Sequence, residues 1–360
     1  MKKTLLIITF IFLLVGIIVS CKPEEAEQLV WNDTPTAADT LYQNPLFEPD
    51  LADPTILRAA DGWFYAYGTE NDWSVGIHRI VPIIKSKNLK KWEYVTDAFA
   101  TKPAWKTAGG VWAPDVTFVK SKYYMYYSVS TWGDANPGIG MAIADLPFGP
   151  FVDQGKVFDA QSIGVANSID PFFIQTGVGR NNKSYLFWGS FQGIYGTELS
   201  ADFKTAVGTK FKIAGNAFEA TYIQEKNGKF YFFGSSGSCC EGAQSQYHVS
   251  VAMASDIKGP YLDQAGNDII KDGQEGTLFL SGSTDWGWVG PGHNAEVVTD
   301  DRGNDFFIYH AIEVKNPLLP GGATRRPLMM DPIKWLNEWP SIQDGKPSKT
   351  QQVAPYFATK

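Results

Sequence analysis

Polar and apolar positions along the chain follow one repeated arrangement. A short apolar strand is followed by a turn and then by a strand dense in aromatics. Five segments have this form: "ADPTILRAADGWFYAYGT" from Ala52, "APDVTFVKSKYYMYYS" from Ala113, "IDPFFIQTGVGRNNKSYLFWGS" from Ile169, "AFEATYIQEKNGKFYFFGS" from Ala217 and "GHNAEVVTDDRGNDFFIYH" from Gly292. The aromatic runs suit a pleated, half-buried surface. Asp-Gly, Asn-Gly or Arg-Gly supplies several of the turns between the strands. Weaker strands follow, such as "GIGMAIA" and "YHVSVAMAS". Two repeats then share Gly-Pro-aromatic-x-Asp-Gln-x-Gly, in "LPFGPFVDQG" and "IKGPYLDQAG". No long segment has helical periodicity. The pattern predicts an all-β fold, a single five-bladed β-propeller with a central channel. Each blade would bury its face against the next, and the first strand of each would line the axis.

An ionisable residue stands near the start of each repeat: Asp53, Asp115, Asp170, Glu219 and His293. A propeller brings such distant positions together at one end of its channel. Carboxylates held close repel, and one pKa rises as a result. Glycoside hydrolysis uses that outcome, because one carboxyl must carry a proton while another is ionised. Pro114 precedes Asp115 instead of following it, so Asp115 reads as a structural residue at a strand start. His293 occupies the fifth slot and reads as functional. His78, His248 and His310 lack that placement and receive no role. The chain has no His-Glu-x-x-His, no Gly-x-Ser-x-Gly and no phosphate loop.

Composition narrows the setting. With 360 residues, 44% of them hydrophobic, the chain can bury a large core, and a formal charge of -7 gives no support to a nucleic-acid partner. "MKK" and the apolar stretch after it predict a signal peptide over residues 1–20. An uncleaved membrane anchor is the alternative reading. "IIVSC" resembles a bacterial lipobox, which implies lipidation of Cys21. "CKPEE" resembles the acidic signal of surface-exposed lipoproteins. The expected location is the bacterial outer membrane, at the cell surface or facing the periplasm, with the lipid as the only membrane contact. Residues 21–43 read as lipidated Cys and tether, 44–345 as the propeller and 346–360 as a loose tail. A monomer is expected. The adjacent Cys239 and Cys240 read as a packed or locally bonded pair.

The pieces "LADPTI", "VWAPDV", "NSIDPFFI", "FEATYI" and "GPGHN" together resemble glycoside hydrolase family 43, over about residues 44–340. "CCEG" and "RRPLMMDPIKWLNEWP" are similar to its arabinanase branch. The resemblance implies an inverting hydrolase of α-1,5-linked arabinan. Asp53 would be the general base, Glu219 the general acid, and Asp170 the residue that holds and tunes Glu219. Trp112 and Arg326 would contact substrate, although Arg325 competes for the arginine's place. His293 would face a cation on the axis, often calcium in the arabinanases, and no organic cofactor is implied. "ADP" replaces the "HDP" of many endo-acting arabinanases, leaving Ala52 at a substrate-contact position. An exo-acting arabinofuranosidase or β-xylosidase, and a glycan-binding propeller without catalysis, are the alternatives.

Overall fold

The five repeats form five antiparallel sheets. A computed structural model describes residues 40–177 and 182–358. Blade 1 runs Thr55–Arg58, Phe64–Tyr67, Pro82–Ser86 and Glu93–Asp97. Blade 2 runs Gly110–Val119, Lys122–Ser130, Gly138–Ala144 and Val152–Asp159. Blade 3 runs Phe172–Thr176, Lys183–Trp188, Ile194–Leu199 and Ala206–Ala214. Blade 4 runs Glu219–Lys226, Lys229–Ser236, His248–Ala254 and Thr277–Ser281. In each, neighbouring strands pair antiparallel in chain order; in blade 1 the link between the second and third strands carries a small sheet of its own, Asn71–Ser74 with Ile77–Arg79. The Asn227-Gly228 turn of blade 4 has positive φ at both residues, 53° and 74°. It closes Lys226 onto Lys229, as a two-residue hairpin of right-handed twist requires.

Blade 5 is built differently. Its first strand is in two pieces, Trp288–Gly292 and Val298–Thr299, and both pair with Asp305–Glu313. Leu328–Pro332 lies on the other side. The N-terminal segment then joins the outer edge: Leu46 N donates to Leu328 O at 2.8 Å, and Leu328 N donates to Phe47 O at 3.1 Å. The last blade is thus finished by the start of the domain. The tail is not loose. Gln352–Val353 pairs with Leu41–Tyr42, Ala358 N donates to Asp301, and the Phe357 ring packs 4.6 Å from that of Phe64. The expected signal peptide and Cys21 lie outside the described residues. Among the described residues, no helix is long and apolar enough to cross a membrane.

Aromatics fill the seams. Tyr67, Val111, Met125 and Phe151 pack between blades 1 and 2, and Phe158, Phe173 and Trp188 between blades 2 and 3. Ile56, Phe64, Ile308 and Met330 join blade 5 to blade 1. Each such side chain contributes about 1.5–3 kcal/mol by leaving water. The matching Gly-Pro-aromatic motifs place Phe151 and Tyr261, both buried, after glycines at φ 83° and 90°. These seams fix where the strand starts meet on the axis.

Candidate active site

Near the start of each first strand (its fourth residue in blade 2, just beyond its first piece in blade 5), one non-glycine residue adopts a left-handed backbone. They are Asp53 (φ 51°), Ala113 (44°), Asp170 (58°), Ala220 (56°) and His293 (42°). Such strain costs on the order of 1–3 kcal/mol per residue and gathers at functional sites. Most of the N–H groups at these slots are received by the preceding blade, toward the end of its aromatic strand. Ala113 N donates to Thr69 Oγ1 (2.9 Å), Asp170 N to Ser128 Oγ (2.9 Å), His293 N to Ser235 Oγ (2.9 Å) and Asp53 N to His310 Nδ1 (3.1 Å). Blade 4 departs from the pattern. Ala220 N donates to Asp170 Oδ2 at 3.3 Å, and Ser190 Oγ instead donates to Glu219 Oε2 at 2.7 Å.

This register corrects the sequence alignment. Asp115 and Glu219 are not the equivalents of Asp53 and Asp170; Ala113 and Ala220 are. Glu219 precedes its slot by one residue and Asp115 follows its slot by two. Asp115 lies deeper on the axis, where Oδ2 accepts Phe173 N at 2.7 Å. It lines an axial cavity of about 20 Å³ together with Pro54, Pro171, Thr221, Asn294 and Glu296. Glu296 accepts Ile56 N (2.6 Å) and Thr55 Oγ1 (2.9 Å). Burial pushes both carboxyls up; the Glu296 charge then drives Asp115 well up, while hydrogen bonds from Ile56 N, Thr55 and Asp115 work against the rise on Glu296. The structural reading of Asp115 therefore fits its surroundings.

The buried groups around the slots divide by charge. Burial alone would raise Asp53, but the Arg326 guanidinium and then the His293 imidazolium hold it well below the usual carboxylate range. Arg326 Nη1 lies 2.8 Å from Asp53 Oδ1, and His293 Nδ1 lies 3.3 Å from the same oxygen. Thr69 Oγ1 donates to Oδ2 at 2.6 Å. Burial also works against charge on His293, yet Asp53, Asp170 and Glu219 outweigh it and raise its pKa. His310 is held neutral, by burial first and then by Arg326. Burial pushes Asp170 up to about 7, with Glu219 and Asp53 adding repulsion against the pull of His293. Glu219 is raised as well, chiefly by burial, while Ser190 works the other way. Asp170 and Glu219 interact, so their titration belongs to the pair. One ionised carboxylate thus stands beside a pair that retains a proton, the division that acid–base chemistry on a glycosidic bond requires.

The remaining expected residues fall around this centre. Arg326 is buried on Asp53, while Arg325 turns to Glu48 and Glu313, which separates the two arginines. Trp112 is half-buried, with its ring 5.9 Å from that of Trp132 and tilted by 48°, and Trp132 is 78% exposed. Ala52 is fully buried, and its carbonyl accepts Thr69 N. Among the described residues, no group of three or more His, Cys, Asp or Glu could hold a metal ion. Asn294 Oδ1 and Thr221 Oγ1 are buried without a partner and belong to residues lining the axial cavity beside His293. Neutral oxygens of that kind suit water or a hard, oxygen-preferring cation.

The model of glycosyl hydrolases family 43 matches residues 42–340. The chain belongs to this family. Among its relatives is the extracellular endo-α-(1→5)-L-arabinanase 1 of Bacillus subtilis, 30% identical over 304 residues, covering 81% of this chain and 87% of that protein. The extracellular exo-α-(1→5)-L-arabinofuranosidase ArbA of Cellvibrio japonicus is also 30% identical, over 325 residues, covering 82% and 87%. Among solved structures, the α-L-arabinanase of Cellvibrio cellulosa complexed with arabinohexaose superimposes with a TM-score of 0.70 at 28% identity, over 83% of this chain and 96% of that one. As a family 43 member the protein is a glycosidase, which removes the non-catalytic alternative.

Sequence reasoning missed His310, Thr69, Ser128, Ser190, Ser235 and Glu296. A signal existed for the first five. Each ends an aromatic run ("YGT", "YYS", "WGS", "FGS", "IYH"), so the same repeat that exposed the carboxylates also marked their partners. Glu296 carried no such mark.

Proposed function

We propose that this family 43 glycosidase hydrolyses α-1,5-linked L-arabinan by inversion, with Asp53 as base and Glu219 as acid. The observation that carries the reading is the division of ionisation: Asp53 is held low by Arg326 and His293, and the Asp170–Glu219 pair is held high by burial. Asp53 accepts a proton from water as that water attacks the anomeric carbon. Glu219 gives its proton to the departing oxygen as the glycosidic bond breaks. Asp170, through Ala220 N and by charge, fixes where Glu219 points and keeps the pair protonated. Trp112, with Trp132, offers an aromatic face for sugar rings. Arg326 acts on Asp53 and, by that contact, beside the substrate.

Arabinan as substrate rests on the named relatives, and these divide between endo and exo action at equal identity. Product length from linear arabinan decides between them. Release of mixed oligosaccharides supports the endo reading, and a single short product supports the exo alternative. No sugar release by wild type, beside an equally silent Glu219→Ala, would overturn the assignment. The reading also puts a cation beside His293, held by Asn294 Oδ1 and water; to ligate it, the ring would have to give up the proton it carries as the imidazolium beside Asp53. The cation would supply fixed positive charge near the carboxylates. Exhaustive chelation that leaves both activity and melting temperature unchanged would remove it. Lipidation at Cys21 would hold the monomeric enzyme at the outer membrane, as fatty-acid labelling lost in Cys21→Ala would test.

A further inference from the structure

We propose that Tyr247 is a positioning residue for proton transfer, its hydroxyl donating to the Glu219 carboxyl as the proton leaves for the glycosidic oxygen. The inference rests on the acid role of Glu219 given above.

Tyr247 is 2% exposed and held from several sides. Its ring stacks on His310 at 6.0 Å and 14°. A Cβ on Gly292 would come within 2.2 Å of the ring, so only glycine leaves it room. The loop that delivers it is pinned along its length. Gln246 N donates to Ser238 O (3.0 Å), Ser245 Oγ to Cys239 O (3.1 Å) and Thr324 Oγ1 to Cys240 O (2.8 Å). Cys239 and Cys240 are bonded to each other within that loop. The cysteine pair, without a role in the acid–base chemistry, thus belongs to the frame of this tyrosine.

The hydroxyl itself is buried without a well-formed hydrogen bond among the described residues, and the Glu219 carboxyl is the acceptor beside it. Buried hydroxyls in that state are rare and call for a reason. Burial and then the Glu219 and Asp170 carboxyls push the phenol well above its ordinary range, so it keeps its proton and, toward a carboxylate, serves as a donor. It also acts on Glu219 in the same direction as Ser190, favouring the carboxylate. Catalytic hydrogen bonds are often long before substrate arrives and tighten in the reacting complex. In the transfer, the Glu219 O–H bond breaks and its proton joins the glycosidic oxygen. Ser190 Oγ already donates to Oε2 at 2.7 Å. Tyr247 supplies a second donor to the new carboxylate and keeps its own proton throughout.

The test compares wild type and Tyr247→Phe on two substrates. One is an α-1,5-arabino-oligosaccharide, whose sugar leaving group needs the proton. The other is the same glycone carrying dinitrophenolate, which departs without it. The variant should lose roughly ten- to hundredfold in kcat on the oligosaccharide, the worth of one hydrogen bond to a charged group. On the aryl substrate it should stay within about twofold, because acid assistance is not needed there. Its melting temperature should change little, since the hydroxyl has no well-formed hydrogen bond to lose in the free enzyme. Equal losses on both substrates, a loss confined to KM, or no loss at all would overturn the proposal. A wild type inactive on both substrates would sink the activity reading and this inference together, and the wild-type control tells that failure apart.

Discussion

Replacing Arg326 with glutamine removes the strongest favourable influence on the Asp53 charge. Arg326 Nη1 and Asp53 Oδ1 are 2.8 Å apart, with side chains 11% and 12% exposed. At an effective dielectric of about 20, such a pair attracts by ~6 kcal/mol. His293 remains beside Asp53, so the expected rise in its pKa is smaller, about 1–3 units. Asp53 works as a base only when ionised. In the wild type its low pKa keeps it ionised well below neutrality, so kcat/KM should hold as pH falls. In Arg326→Gln the acid limb should move up by that same 1–3 units, or about 1.4–4 kcal/mol. Stability should follow the same sign. A depressed aspartate stabilises the fold above its unfolded pKa, and that contribution fades as pH falls toward the folded value. Breaking a buried pair costs about 3–5 kcal/mol, or roughly 6–10 °C at ~2 °C per kcal/mol for a domain of this size. The assay is initial reducing-sugar release from arabinan below KM across the acid range, beside thermal melts. An unmoved acid limb in a folded variant would refute the charge assignment at Asp53.

Other outcomes follow from the same geometry. Glu219→Gln should lower kcat on arabinan by about 10²–10⁴, with no loss of melting temperature, because a buried carboxyl in a repelling pair becomes neutral. With Asp170 raised to about 7 and Glu219 raised beside it, kcat/KM in the wild type should fall as pH rises through that region. Asp170→Asn removes the like charge, so the basic limb of its residual activity should shift to lower pH. Gly292→Ala places a methyl 2.2 Å from the Tyr247 ring. It should cost about 1–3 kcal/mol of stability in thermal melts and depress activity with it.

The propeller was legible because each blade carries its own complete signal. Aromatic strands such as "FYFFGS" and two-residue turns such as Asn227-Gly228 specify local pairing without help from distant residues. Closure was not legible. Leu46 and Phe47 meet Leu328 by backbone hydrogen bonds and pack into the core shared with blade 5, but two apolar residues in a segment without strand alternation do not announce that partner. The carboxylates of the site were visible as repeat-start residues, but their register was not. "EAT" and "APD" align by eye with "ADP", and only the left-handed backbone at Ala220 and Ala113 shows which residues are equivalent. That offset of one residue explains how blade 4 presents its acid apart from the slot that blade 1 uses for its base. His310 received no role from the sequence because it sits on an aromatic strand instead of at a repeat start. Its role depends on blade 5 lying beside blade 1, a contact between the two ends of the domain.

The central claim is that Asp53 delivers water while Glu219 releases the opposite side of the glycosidic bond. Proton nuclear magnetic resonance of the first products from linear arabinan tests it most directly, before mutarotation mixes the anomers. The account predicts that the new reducing end appears first as the β-anomer. First appearance of the α-anomer would contradict it.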